Sequence, residues 1–288
     1  AEKVVLLAAM LKSVNIQAEP VAIVAERFYT QKTVSPALID RVLVKVSIQG
    51  MDPIYLSSTQ VDQQDVRFQL AGKRIISLVP GKKLTSEVLP EAKNQLSVTG
   101  NFTLEPSLTM TGNLSLETGG RLNPWLRMQK DTTYTAGFLS GLFGSGKANN
   151  VVKGKTDTDL ASFSYKLSAA SFASETGGHV FLKFPSATVG SDSWHMTELV
   201  STRTEPLEIP FAISESYDLF IAIPEGMSVI TAPAVLNVAN DFGSVNASVT
   251  VEGNQLHVVR KLNIVQTQVP VGKYEAFKAM INAWNSKK

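Results

Sequence analysis

Gly141, Gly146 and Lys147 stand at the spacing of a phosphate-binding loop, G-x-x-x-x-G-K. In such a loop backbone N–H groups and a following helix dipole converge on phosphate oxygens, and a hydroxyl after the lysine holds magnesium. Here Ala148 follows the lysine, no apolar strand leads in, and Val151 and Val152 do not clearly open a helix. The expectation is a flexible or small-residue-packed loop. His179, His195 and His257 lie in separate segments with no donor at metal-ligand spacing around them, so they read as surface or internally satisfied histidines. Trp194, His195 and Met196 read as a plug at a sheet edge. Glu205 and Glu208 flank Pro206, and Asp157 and Asp159 share a loop; both pairs read as solvated turns and not as an acid–base couple. Asn101, Asn113 and Asn246 open N-x-S/T triplets at a density that chance supplies in a chain this rich in serine and threonine. Arg203 and Arg260 are expected to pair with an acid at a sheet edge or to stack on an aromatic ring.

No cysteine occurs in the 288 residues, which excludes a disulfide, a thiolate metal site or a cysteine nucleophile within them. No cofactor or metal is expected. Hydrophobic residues make up 44% and charged residues 18%, enough for a packed core, and the net charge of +2 gives no case for nucleic acid. No apolar run approaches the length of a membrane-spanning helix. Residue 1 falls inside an apparent helix, so the chain reads as a piece of a longer precursor.

These residues have to be positioned by a mostly β framework. Val4, Leu7, Ala8 and Leu11 mark one face of an opening helix. Residues 17–24 read as a strand that Pro20 places near an edge or at its start. Residues 41–48 alternate, with Val42, Val44 and Val46 on one side, and a turn at Met51, Asp52 and Pro53 leads into a returning strand at 54–56. From about residue 80, two-residue alternation dominates. Phe102 with Leu104, Leu108 with Met110, and Leu114 with Leu116 suggest three short strands separated at Pro106 and at Gly112–Asn113. A helix is expected near 120–150, and strands return at 160–169 and 179–184. Tyr217, Leu219, Ile221 and Ile223 alternate up to a turn at Pro224, Glu225 and Gly226. Glu252, Gly253 and Asn254 mark a hairpin, and Tyr274, Phe277, Ile281 and Trp284 share one face of a final helix. The fold class expected is α+β and mostly β, antiparallel and sandwich-like, with a C-terminal helix, in three parts: 1–80, 81–204 and 205–288.

The first sixty residues resemble the second half of a transglutaminase-like, papain-related core. That family carries a nucleophilic cysteine at the start of a helix running C-x-D/E-K-x-x-L-L, then a strand, then F-N-H-V, then W-L-D-P-T. Glu2, Lys3, Leu6 and Leu7 match the helix; Asn15, Ile16, Gln17 and Ala18 stand for the family's G-I-P-A; residues 42–46 match the histidine strand and 55–59 the aspartate segment. The resemblance continues over 80–288 into the β-rich C-terminal region, a domain of unknown function, of secreted Gram-negative proteins of this type. It is carried by residues 203–211, 223–226, 240–243, Val259 with Arg260, and 269–277.

On this resemblance the cysteine would fall just before Ala1, the histidine position holds Arg41 after Asp40, and the aspartate position holds Ser57. Arginine stays protonated and cannot act as a general base, and serine cannot supply the carboxylate that steadies an imidazolium. The resemblance therefore implies a non-catalytic periplasmic or cell-surface protein that binds or scaffolds peptide, protein or envelope glycan. Its first candidate groove lies around Asp40, Arg41, Ser57 and Thr59. Two alternatives stand beside this: a cysteine acyl-transferase or peptidase with an upstream nucleophile, and a purely structural module that positions other domains.

Overall fold

The structure, a computed structural model, describes residues 2–25, 35–57, 66, 70–81, 86–88, 93–131, 133–144, 146–170, 172–196, 199–230 and 234–286. It is mostly β, with several antiparallel sheets and a C-terminal helix, and divides into two compact units, Ala1–Ala92 and Lys93–Lys288.

In the first unit, α1 (Glu2–Ser13) precedes β1 (Gln17–Ala25), β2 (Ile39–Ser47), β3 (Ile54–Leu56), β4 (Lys73–Ser77) and β5 (Ser86–Val88), with sheet order β3-β2-β1-β4-β5. Val4 and Ala8 of α1 pack on Ala18, Val44 and Val46, so the helix covers one face. Val21, Ile23, Leu43, Tyr55, Leu70 and Ile75 form a second cluster on the other. Pro20 does not mark an edge strand, since β1 is the central strand. Its pairing with β4 stops there: the Pro20 carbonyl accepts from the Leu78 N–H at 2.9 Å, one residue beyond the Val21↔Ser77 rung. The N–H that proline lacks lies on that same side, so its loss falls at the end of the β1–β4 ladder.

The second unit is built on eight strands in the order β14-β15-β16-β13-β6-β7-β9-β8. These are β6 (Gln95–Leu104), β7 (Met110–Gly119), β8 (Lys147–Thr156), β9 (Leu160–Ala169), β13 (Ile213–Ala222), β14 (Ala234–Asn240), β15 (Gly243–Glu252) and β16 (Gln255–Ile264). Short strands pair apart from this sheet: β10 (Ala173–Thr176) with β11 (His179–Leu182), and β12 (Leu207–Glu208) with β17 (Gln268–Val269). Helices α2 (Trp125–Lys130), α3 (Tyr134–Gly141) and α4 (Tyr274–Asn285) complete it. From α4, Tyr274, Phe277, Met280, Ile281 and Trp284 all enter the one large core cluster of this unit. β13 lies parallel to β6, so strands from both sides of the expected division at 204/205 share one sheet and one core. The sequence could not show this, because alternation reports a strand and not its neighbour.

The three short strands expected between 102 and 116 are one hairpin of two ten-residue strands, with Leu108 in its turn at φ 64°. Gly112 is not a breaker. A Cβ there would lie 2.6 Å from the Phe102 ring and 2.2 Å from the Asn101 carbonyl, and one on Gly100 would lie 2.6 Å from the same ring. Both glycines make room for Phe102 inside the sheet.

Candidate functional site

Asp40 and Arg41 are neighbours on β2. Arg41 is paired with Ile23 and shares a face with Leu43, whereas Val42, Val44 and Val46 face α1. Asp40 Oδ2 accepts a hydrogen bond from Lys73 Nζ at 2.6 Å, and Arg41 Nε lies 3.7 Å from the same oxygen. The hydrogen bond from the Lys73 ammonium holds the Asp40 carboxyl below the ordinary carboxylate range; burial opposes it, and the Lys73 and Arg41 charges add to the lowering. A carboxylate held by two cations is a poor proton acceptor. Ser57 follows the Val44↔Leu56 rung that ends β3, and Thr59 lies outside the described residues. The structure thus brings Asp40 and Arg41 together and adds Lys73, which sequence reasoning missed.

A second polar cluster lies on the face opposite α1. Glu87 Oε1 accepts from Lys45 Nζ at 2.5 Å and from the Tyr55 hydroxyl at 2.9 Å. Glu87 is on β5 and Tyr55 on β3, the two edges of the sheet. In a flat sheet those edges would stand about 19 Å apart at the usual strand spacing, so the contact shows that the sheet curls. Burial raises the Glu87 pKa, but the Lys45 and Tyr55 donors outweigh it and the net shift is downward. Burial and then the Glu87 charge push the Tyr55 hydroxyl well up.

Among the described residues, the most buried charges are in the second unit. On β13, Ile213, Glu215, Tyr217, Leu219 and Ile221 all point inward, and Glu215 is 1% exposed. Its carboxylate accepts from the Tyr217 hydroxyl at 2.6 Å, and from Ser191 Oγ at 2.7 Å and N–H at 3.1 Å. The Tyr217 oxygen in turn accepts from the Ala187 N–H at 3.0 Å. Arg260, also 1% exposed, donates to the Trp284 carbonyl at 2.9 Å and lies 4.1 Å from that residue's ring centroid. Burial pushes the Glu215 carboxyl up, against its three donors and the Arg260 charge. Burial likewise pushes the Arg260 guanidinium down, against the attraction of Tyr217 and Glu215. Glu215 and Arg260 are almost fully buried, and the network joins β13, β16, α4 and the turn at Gly190–Trp194 from inside.

The remaining singled-out residues have structural surroundings. Arg260 stacks on Trp284, and Arg203 lies 5.8 Å from the Tyr274 ring. Gly141 ends α3 and Lys147 opens β8, the reverse of the strand–loop–helix order of a phosphate loop, and a Cβ on Gly146 would lie 2.6 Å from Leu167. Trp194 packs edge-on against Phe211 at 5.1 Å. His257 pairs with Asp218 at 2.8 Å. Asp157 caps its own turn, accepting from the backbone of Asp159 and Leu160. Among the described residues no helix is long and apolar enough to cross a membrane.

The fold is similar to that of a solved protein. The crystal structure of a "putative protease" from Parabacteroides distasonis ATCC 8503 is similar over 99% of this chain, with a TM-score of 0.55 and 18% sequence identity. The match covers 41% of that protein's length, so this chain spans about two fifths of it. Likeness at this identity establishes a common fold. Residues 179–288 match a family model, DUF3858, described as a domain of unknown function with solved structure. No curated protein matches the chain.

Proposed function

We propose that the chain is a non-catalytic derivative of a transglutaminase-like protein, serving in the bacterial envelope as a binding or scaffolding module. The observation that carries this reading is the set of residues at the expected triad positions. Arg41 stands where a histidine base would be, Ser57 where its aspartate would be, and Asp40 is already committed to Lys73 and Arg41. Proton transfer needs a group that can lose and regain a proton near neutral pH, and neither guanidinium nor hydroxyl does so. The periplasmic or cell-surface setting rests on the sequence resemblance, as does the choice of peptide, protein or envelope glycan as ligand. The candidate groove that the resemblance assigns to Asp40, Arg41, Ser57 and Thr59 is the first place to look for that ligand.

The test is labelling of the full-length natural protein with a thiol-directed electrophile, with the adduct located by mass spectrometry. The proposal expects no cysteine before Ala1 that reacts faster than a free thiol. Rapid, site-specific modification there would establish an activated thiolate and end it. A second reading, a cysteine acyl-transferase or peptidase with its nucleophile upstream, is favoured by the protease description of the solved relative and by that protein's greater length.

A further inference from the structure

The face of the eight-stranded sheet turned away from the core carries a trough of about 460 Å³, in the size range of small-ligand sites. Its floor is Thr99, Asn101, Asn113, Ser115, Ser164 and Lys166. These side chains are in register across three strands: Thr99↔Ser115↔Ser164 forms one row and Asn101↔Asn113↔Lys166 the next. Strand spacing of about 4.8 Å therefore sets one hydrogen-bonding group per strand along each row. One wall is raised by β8, whose bulges at Asn149/Val152 and Lys153/Thr156 bend the edge, with Asn150 at φ 53°. The opposite wall is Phe220 with Asp218.

That wall is built. Phe220 is paired with His257 on one side and with Asn101 on the other. The His257 ring stacks on Phe220 at 4.1 Å and 6°, and Asp218 pins the imidazole at 2.8 Å. Neighbouring rings stacked in this way stand upright on the sheet, which turns the second face of Phe220 toward Asn101 and the trough. Beside that ring face, the side chains of Asn101 and Asn113 make no hydrogen bond within the described protein, although they are cross-strand partners. An upright aromatic face next to two unspent amides matches a sugar ring, which is apolar across its C–H face and carries hydroxyls around its edge.

We propose that this trough is a binding site for a neutral oligosaccharide lying across the strands, with one ring stacked on Phe220 and its hydroxyls bonded to Asn101 and Asn113. The site is in the second unit and does not depend on the envelope role proposed for the chain. Its charge is balanced, Lys166 against Asp218, which fits neither nucleic acid nor an acidic polymer. An extended peptide would seek a strand edge, where backbone groups are open, and not the face of a paired sheet.

Isothermal titration against cellohexaose, laminarihexaose, mannohexaose, chitohexaose and maltohexaose tests the proposal. At least one should bind with a Kd below about 1 mM. Phe220→Ala should weaken it by about tenfold or more. Because Phe220 is half-buried, the exposed pair Asn101→Ala/Asn113→Ala is made as well, and should weaken binding as much while leaving the melting temperature within about 2 °C. Raising NaCl to about 0.5 M should leave the affinity unchanged. Absence of binding by all five sugars, indifference to both variants, or loss of binding in salt would each overturn it.

Discussion

The two units handle charge in opposite ways. In the first, carboxylates stay at the rim: Asp40 and Glu87 are each held by a lysine, with side chains 42% and 46% exposed, and their pKa values are lowered. In the second, Glu215 and Arg260 are sealed in the core, hydrogen-bonded to neighbours and covered by Trp284, and burial raises the pKa of the acid. Ion pairs open to water contribute little to stability, whereas taking a partner from a buried charged network leaves a desolvated group uncompensated. The lesson is about where to look. Asp40 and Glu87 are inexpensive to change, while Glu215 and Arg260 hold the core of the second unit together.

The comparison breaks most readily at Trp284. Trp284→Ala removes a buried indole and the cover over Arg260, and should cost about 3–5 kcal/mol, read by urea denaturation of the second unit. Tyr217→Phe takes a donor from Glu215 and the acceptor of the Ala187 N–H, and should cost about 1–3 kcal/mol. Lys73→Ala, on the exposed pair, should change stability by about 0–1 kcal/mol, less still at high salt. A Lys73 effect as large as that of Tyr217 would erase the distinction between the units.

Titration sharpens it further. Glu215 has a folded pKa above its unfolded value of about 4.3, so the fold favours the protonated acid. Its contribution is therefore full below about pH 4.3 and is lost as pH rises through the folded pKa. Asp40 and Glu87 have the opposite sign: their contributions are present above about pH 4 and are lost as pH falls through their lowered values. The stability of wild type relative to Glu215→Gln should fall as pH rises from about 4, read from melting curves of both. A relative stability that rises with pH would contradict the direction assigned to Glu215.

The fold was legible wherever periodicity alone determined it. The inward face of α4 is readable from Tyr274, Phe277, Ile281 and Trp284, and β13 from its alternation. Glu215 could have been seen as an acid on the inward parity of β13, but its neighbours Arg260 and Ser191 emerge only from strand pairing and a distant turn. Gly112 was misread because a glycine that accommodates a ring and a glycine that ends a strand are the same letter. At the candidate groove Asp40 and Arg41 were named from sequence, but Lys73, 33 residues on, reaches Asp40 only through the β1–β4 pairing. The Tyr55–Glu87 contact needs the curl of a whole sheet, and the aligned wall of Asp218, His257 and Phe220 needs the register of two strands.

The proposed loss of catalysis requires that Arg41 and Ser57 support no turnover. Its most direct measurement is hydrolysis and amine-transfer activity of the full-length natural protein toward fluorogenic glutamine-containing peptides, compared with its Arg41→Ala and Asp40→Asn variants. The account predicts a rate equal to the buffer blank in all three. A measurable rate in the natural protein that either substitution abolishes would contradict it.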